Sequence, residues 1–168
     1  MEIHDYWCAM QVCFIGHRHI EKNENLISTL KETILTLIKK GATNFLFGSK
    51  SQFDDLAWEI VTLLKKDSPF IKRIYVRSAF QHIDKSYAKY LFEHYEETYF
   101  PPKLENAGKY SYVERNYEMI DNSDYCIFYY NENHITKNGQ QQQRKSGTKT
   151  AYEYAVKKKK QIINLYTK

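Results

Sequence analysis

The sequence predicts an α/β domain of three layers, in which a mainly parallel sheet of five strands carries helices on both faces. Short, continuous apolar runs alternate along the chain with longer segments whose apolar residues recur at helical spacing. This alternation is typical of parallel sheets whose strands are buried on both faces. The length of 168 residues suits one hydrophobic core, so we expect residues 1–168 to form a single domain.

The elements of the first half follow in a regular order. The run CAMQVCFIG indicates the first strand, and residues 26–38 show helical spacing before Gly41, a residue that commonly ends helices. NFLFG is the second strand, residues 54–66 are the second helix, and IKRIYV is the third strand. We expect a helical insertion around residues 80–111, with a helix that begins at the N-cap Asp84.

The second half continues the alternation. YSYVERNYEMIDNSD indicates a helix that leads into the fourth strand, YCIFYY. A polar loop follows at residues 131–146, and it is either a lid over a ligand or a surface excursion. The chain then forms its last helix and a fifth strand, QIINLY.

Composition narrows the classes of function. No apolar run approaches the roughly 20 residues of a membrane span, and the N-terminal segment does not have the pattern of a secretory signal, so we expect a cytoplasmic protein without a membrane partner.

The three cysteines lack metal-site spacing, and Cys13 and Cys126 fall in strands, which favours buried, reduced thiols. We expect neither a metal nor a resident cofactor. Much of the excess of 25 basic over 20 acidic residues lies in residues 157–160, which indicates a solvated helix end.

Candidate ligand-binding residues follow the predicted strands, because ligands of open α/β sheets bind beyond the carboxyl ends of the strands. They are Gly16, His17 and Arg18 after the first strand, Gly48, Ser49 and Asp54 after the second, Arg77 after the third, Tyr130 after the fourth, and Ser146, Gly147 and Thr148 at the last helix. The first amides of a helix have no internal partners and attract anions. Residues 146–148 therefore form either a phosphate cradle or a plain helix cap.

Glu153 has two interpretations. It stands four residues before Lys157, a spacing that favours a surface ion pair on a helix. Alternatively it is a catalytic carboxylate that attacks a glycosidic carbon with the help of a second charged group.

The segments ERNYEMIDNSDYCIFYYNE and KSGTKTAYEYAVKKKKQIINLY resemble the SLOG superfamily of Rossmann-like proteins, and within it the YpsA-type branch of bacterial proteins. The runs CFIGHRH and FLFGSKSQFDDLAWEIV look like the first two glycine loops of that family, with Asp54 or Asp55 at its aspartate. The residues that match in the last third are Arg115, Asn116, Ser123, Asp124, Asn131, Glu132, Gly147, Thr148, Tyr154 and Ala155.

This resemblance implies a site for a nucleotide or a nucleotide-derived ribose-phosphate ligand, in a sensor or regulatory module. Relatives include Lonely-Guy phosphoribohydrolases and the DNA-processing protein, which binds single-stranded DNA. Two alternatives therefore stay open: an N-glycosidic hydrolase or transferase acting on nucleoside monophosphates, and nucleic-acid binding through the lysines at residues 157–160 and tyrosine-rich surfaces. Ala151 stands where Lonely-Guy enzymes carry a glutamate, three residues after the threonine. The resemblance therefore favours binding over catalysis.

The resemblance also suggests roles for single residues and a homodimer, since related proteins often self-associate. Arg18 and Arg77 would neutralise a phosphate, Asp54 would accept ribose hydroxyls, and Tyr130 or Tyr112 would stack on the base. Arg115 would either point into the site or brace the fourth strand through Asp124.

Overall fold

The computed structural model describes residues 9–134 and 146–167, and in these residues one parallel sheet of six strands forms the centre of the domain. The strands are β1 (Met10–Gly16), β2 (Ala42–Phe47), β3 (Lys72–Val76), β4 (Glu97–Tyr99), β5 (Tyr125–Tyr129) and β6 (Gln161–Asn164). Their order across the sheet is β4-β3-β2-β1-β5-β6. The α/β class is confirmed, with six strands instead of five.

Five α-helices cover the two faces of the sheet in the described ranges. They are α1 (Glu24–Lys39), α2 (Gln52–Leu64), α3 (Lys85–His94), α4 (Ser111–Asp121) and α5 (Gly147–Lys157). Successive side chains of β1 point to opposite faces of the sheet. Val12 and Phe14 pack in a core with α1, α2 and α3. Cys13 and Ile15 pack in a second core, with α4 and α5. None of these helices combines the length and apolar character that crossing a membrane requires.

The additional strand lies inside the predicted helical insertion. β4 pairs with β3, so that Ile74 is opposite Glu97 and Val76 is opposite Tyr99. Glu96 begins this pairing by accepting the N–H of Arg73 at 2.7 Å and donating its own N–H to the Arg73 carbonyl at 3.0 Å. A three-residue edge strand is too short to show an alternating pattern, which is why the sequence did not predict it.

Side-chain caps define where two helices begin. Asp84 accepts the N–H of Tyr87 at 2.8 Å, which confirms the predicted cap of α3. α2 begins two residues earlier than predicted, because Ser51 accepts the N–H of Asp54 at 3.1 Å and caps the helix.

The thiols of Cys13 and Cys126 lie opposite each other on β1 and β5, and both are buried and free. Burial raises the pKa of the Cys13 thiol well above its ordinary value, so the thiol stays protonated. The predicted burial of these two thiols is confirmed. Cys8 and most of the predicted polar loop, residues 135–145, lie outside the described residues.

The order of the strands reverses beside β1. The chain places β2, β3 and β4 on one side of β1 and then returns to place β5 and β6 on the other. The carboxyl ends of β1 and β5 therefore lie side by side, with Gly16 opposite Tyr129. Such a switch point opens a crevice, because the connections that follow the two strands leave toward opposite faces of the sheet.

Candidate functional site

A cleft of about 890 Å³ opens at the carboxyl edge of the sheet. Four segments that are far apart in sequence line it: residues 16–19 after β1, 48–51 after β2, 78–80 after β3 and 146–148 at the start of α5. Side chains of α3 and α4, with Ile15, Tyr75 and His134, complete the described part of its wall. The fold thus brings the glycine loops after β1 and β2 and the first turn of α5 into one cavity.

The first turn of α5 forms part of the wall of the cleft. Ser146 caps the helix, since its Oγ accepts the N–H of Lys149 at 3.1 Å and its carbonyl accepts the N–H of Thr150 at 3.0 Å. Gly147 and Thr148 line the cleft, and as the first two residues of the helix they have no hydrogen-bond acceptor within it. The two interpretations of this loop are compatible, because Ser146 caps the helix and two amides remain that the helix does not use.

The loops after β1 and β2 are tied to each other at the start of α2. The N–H of Gln52 donates to the carbonyl of Arg18 at 2.9 Å, and the hydroxyls of Ser49 and Ser51 are 3.0 Å apart and share a hydrogen bond. Arg18 and Lys50 are exposed at the cleft, where they add positive charge to the wall. This arrangement suits an anionic ligand.

The three predicted glycines differ in what surrounds them. A Cβ at Gly16 would lie 2.4 to 2.6 Å from three atoms of Phe53, and a Cβ at Gly48 would lie 2.6 Å from Cδ of Arg115. No described atom would lie within 4 Å of a Cβ at Gly147. Gly16 and Gly48 are thus required by packing, whereas Gly147 borders open space.

Arg115 on α4 is the buried cation of the cleft, with 3% of its surface exposed. Its Nη1 donates to the carbonyl of Gly48 and, at 3.4 Å, to Oγ of Ser78, while its Nε donates to Oδ1 of Asn116 at 3.0 Å. Burial lowers the pKa of the guanidinium, which still stays charged because its ordinary pKa is so high. Arg115 therefore joins the loops after β2 and β3 and places a fixed charge in the wall; no described hydrogen bond joins it to Asp124.

Asp54 lies beneath the cleft and does not line it in the described structure. Its carboxyl group accepts the N–H of Gly48, and its Oδ1 is buried with no partner among the described residues. Burial raises the pKa of Asp54 well above its ordinary value, and the positive charge of Arg115 opposes this shift. Asp54 is thus coupled to the cleft through Gly48 and Arg115, which both line it.

His17 joins the two strands at the switch point. Its backbone N–H donates to the carbonyl of Tyr129 at 3.3 Å, and its Nε2 accepts the N–H of Asn131 at 2.9 Å. The ring stacks on His134 with the two centroids 4.0 Å apart. Because Nε2 is an acceptor, the proton of the neutral ring is assigned to Nδ1. Burial, with a contribution from His134, lowers the pKa of His17 to about 4.

Lowering the pH from 7 to 4 is expected to reduce the free energy of unfolding by about 2 to 3 kcal/mol, because His17 takes up a proton more readily in the unfolded chain than in the folded one. The folded pKa lies below the ordinary value of 6.5, so the unfolded chain binds more protons in this range and the free energy of unfolding falls as the pH falls. Urea unfolding of the wild type and of His17→Gln at both pH values measures the effect. Glutamine can still accept the N–H of Asn131 but does not titrate. Equal pH dependence in the two proteins would contradict the prediction.

Besides Asp54, three predicted residues lie outside the lining of the cleft in the described structure. Arg77 donates from Nη1 to the carbonyl of Gln81 at 3.0 Å and lies over the ring of Phe100, so it holds the insertion that follows β3. Tyr130 packs on Tyr152, with ring centroids 4.6 Å apart. Glu153 is exposed on α5.

The cleft also contains residues that the candidate set did not include. They include Ser78, Phe80, Tyr87, Asn116 and His134. Phe80 follows β3 closely, so its position in the chain was an available signal. Tyr87 belongs to α3, and its part in the cleft depends on how the insertion folds back over the sheet edge.

The sequence matches no family model and no curated protein. Among solved structures, the chain is similar to DNA processing protein A from Helicobacter pylori, a protein studied for its single-stranded DNA binding mode. The TM-score is 0.55 at 18% sequence identity, over 91% of this chain and 63% of that chain. The chain thus spans less than two thirds of that protein's length. At this identity the similarity shows a shared Rossmann-like fold.

Proposed function

We propose that this domain binds a nucleotide or a nucleotide-derived ribose-phosphate ligand in the cleft, as a sensor or regulatory module. One observation carries the proposal: a single cleft contains the first amides of a helix, cations and aromatic rings. These are the groups that recognise a phosphate and a base. The cleft volume of about 890 Å³ lies within the range of small-molecule and cofactor sites, roughly 300 to 1,000 Å³.

The phosphate would lie against the amides of Gly147 and Thr148. The dipole of α5 places partial positive charge at this point, and the open space around Gly147 leaves room for an anion. Arg18 and Lys50 would supply exposed positive charge from the loops after β1 and β2, while Arg115 would supply buried positive charge. The resemblance of residues 115–155 to the SLOG superfamily supports the same ligand class.

Single-stranded DNA is the second candidate ligand. It is favoured by the fold shared with DNA processing protein A and by exposed aromatic rings at the cleft, which could stack on successive bases. The lysine run at residues 157–160 adds little to this candidate, because it lies at the end of α5 away from the cleft. Lys160 there donates to the carbonyls of Asp121 and Ser123 at 2.9 and 3.0 Å.

The N-glycosidase alternative gains no support from the position of its proposed carboxylate. Glu153 lies outside the described lining of the cleft, whereas an attacking group must reach the reacting carbon. We therefore place binding ahead of catalysis.

Isothermal titration with AMP, ADP-ribose and cyclic nucleotides tests the proposed function. We expect the double variant Arg18→Ala/Lys50→Ala to bind a mononucleotide about 10- to 100-fold more weakly than the wild type, because it loses two charged contacts to phosphate. The matched control, Lys157→Ala/Lys158→Ala, removes the same charge from the opposite end of α5 and should bind as the wild type does.

Two results would count against this proposal. If none of the nucleotides binds, the cleft does not serve this ligand class. If an oligodeoxythymidylate binds with a steep dependence on salt while mononucleotides do not, single-stranded DNA becomes the function.

A further inference from the structure

We infer that the ligand of the cleft carries a flat aromatic ring that stacks on Phe80, a side chain which a strained turn holds at the cleft. This inference rests on the proposed function and identifies the residue that recognises the base. The observation behind it is the juxtaposition of the strained turn, an exposed phenyl ring and a buried guanidinium group.

The turn at residues 78–80 has an unusual backbone conformation. The N–H of Phe80 donates to the carbonyl of Ser78 at 2.9 Å, a hydrogen bond that closes a three-residue γ-turn around Ala79. Ala79 has a φ of 69°, which is the rare and strained form of this turn and is disfavoured for any residue with a Cβ.

Contacts on both sides hold this turn in place. Nη1 of Arg115 donates to Oγ of Ser78 at 3.4 Å, and Nη1 of Arg77 donates to the carbonyl of Gln81 at 3.0 Å. The side-chain amide of Gln81 donates in turn to Glu105 at 2.7 Å. Strained backbone that its surroundings keep in place is concentrated at functional sites.

The ring of Phe80 adds little to the folded core. Phe80 is 72% exposed, and within residues 9–134 and 146–167 no other ring stacks on its ring. Tyr87, in contrast, stacks on Tyr90 and has Lys50 over its face. A large apolar side chain that is exposed in a ligand-sized cleft is available to a ligand.

Tyr112 provides a second ring near the same cation. It is 59% exposed, lines the cleft, and lies 5.9 Å from the guanidinium carbon of Arg115. Arg115 therefore contacts both the turn that carries Phe80 and the face of Tyr112. A base that enters between these groups would stack on aromatic surface while its phosphate lies at the fixed charge.

Titration of AMP and of ribose 5-phosphate into the wild type and Phe80→Ala tests the inference. We expect AMP to bind the wild type about 5- to 100-fold more tightly than ribose 5-phosphate, the range that stacking of one base provides. In Phe80→Ala the affinity for AMP should fall toward that for ribose 5-phosphate, which itself should not change, while Tyr112 remains in the described part of the cleft as a second stacking surface. Phe80→Trp, which keeps a stacking surface, should retain the preference for AMP.

Phe92→Ala is the matched control, because Phe92 is 85% exposed on α3 and does not line the described part of the cleft. It should bind both ligands as the wild type does. If AMP binds Phe80→Ala and the wild type equally, the inference is overturned and the proposed function stands. If neither these two ligands nor ADP-ribose and the cyclic nucleotides bind the wild type, both are overturned.

Discussion

Replacement of Gly16 by alanine is expected to destabilise the fold by about 3 kcal/mol or more, at the upper end of the range for overpacked cores. The new methyl group would lie 2.4 to 2.6 Å from Cδ1, Cγ and Cβ of Phe53. Phe53 is fully buried under the carboxyl end of β1, so its ring cannot move away without displacing α2. Chemical denaturation of Gly16→Ala measures the loss.

Gly147→Ala is the matched control for this prediction. Its Cβ would meet no described atom within 4 Å, and alanine is a better helix former than glycine. We expect its stability to lie within about 1 kcal/mol of the wild type. Equal stability of Gly16→Ala and Gly147→Ala would show that the packing described around β1 is wrong.

Replacement of Arg115 by alanine is expected to cost about 3 to 5 kcal/mol of folding stability, as for other buried charged groups that lose their partners. It also should weaken AMP binding about 100-fold or more, because a charged hydrogen-bond donor to phosphate is lost. The variant leaves the carbonyl of Gly48 without its donor and opens space beside Met119. Denaturation and titration of the folded fraction measure the two effects.

Arg73→Ala is the matched control for Arg115. Arg73 is also a largely buried arginine, and it donates to Glu96 at 2.7 Å and to Thr62 at 3.0 Å, away from the cleft. It should lower stability while leaving the affinity for AMP within about twofold of the wild type. If Arg115→Ala binds AMP as tightly as Arg73→Ala does, Arg115 has only a structural role.

Periodicity in the sequence predicted the layers of this fold because burial imposes it. Strands buried on both faces need continuous apolar residues, and helices on a sheet need one apolar side, so both patterns are present before any tertiary contact forms. β4 is the exception. Its residues Glu97, Thr98 and Tyr99 carry no such pattern, and they become a strand only because the edge of β3 is available for pairing.

Chain order also predicted much of the cleft, because parallel strands place their carboxyl ends on one edge of a sheet. The glycine loops after β1 and β2 and the first turn of α5 meet there as expected. Side-chain direction could not be predicted in the same way. Arg77 follows β3 but turns to Gln81 and Phe100, whereas Phe80, three residues later, lines the cleft.

The sequence alone therefore determined the architecture of this protein, the edge of the sheet at which the cleft opens, and the cap of α3 at Asp84, because these depend on local pattern and strand direction. Only the tertiary structure decided which side chains form the cleft. Arg115 reaches the cleft from α4 and contacts the end of β2 at Gly48. The positive φ of Ala79 sets the direction of the chain at Phe80. Both depend on contacts between distant segments, which no local pattern encodes.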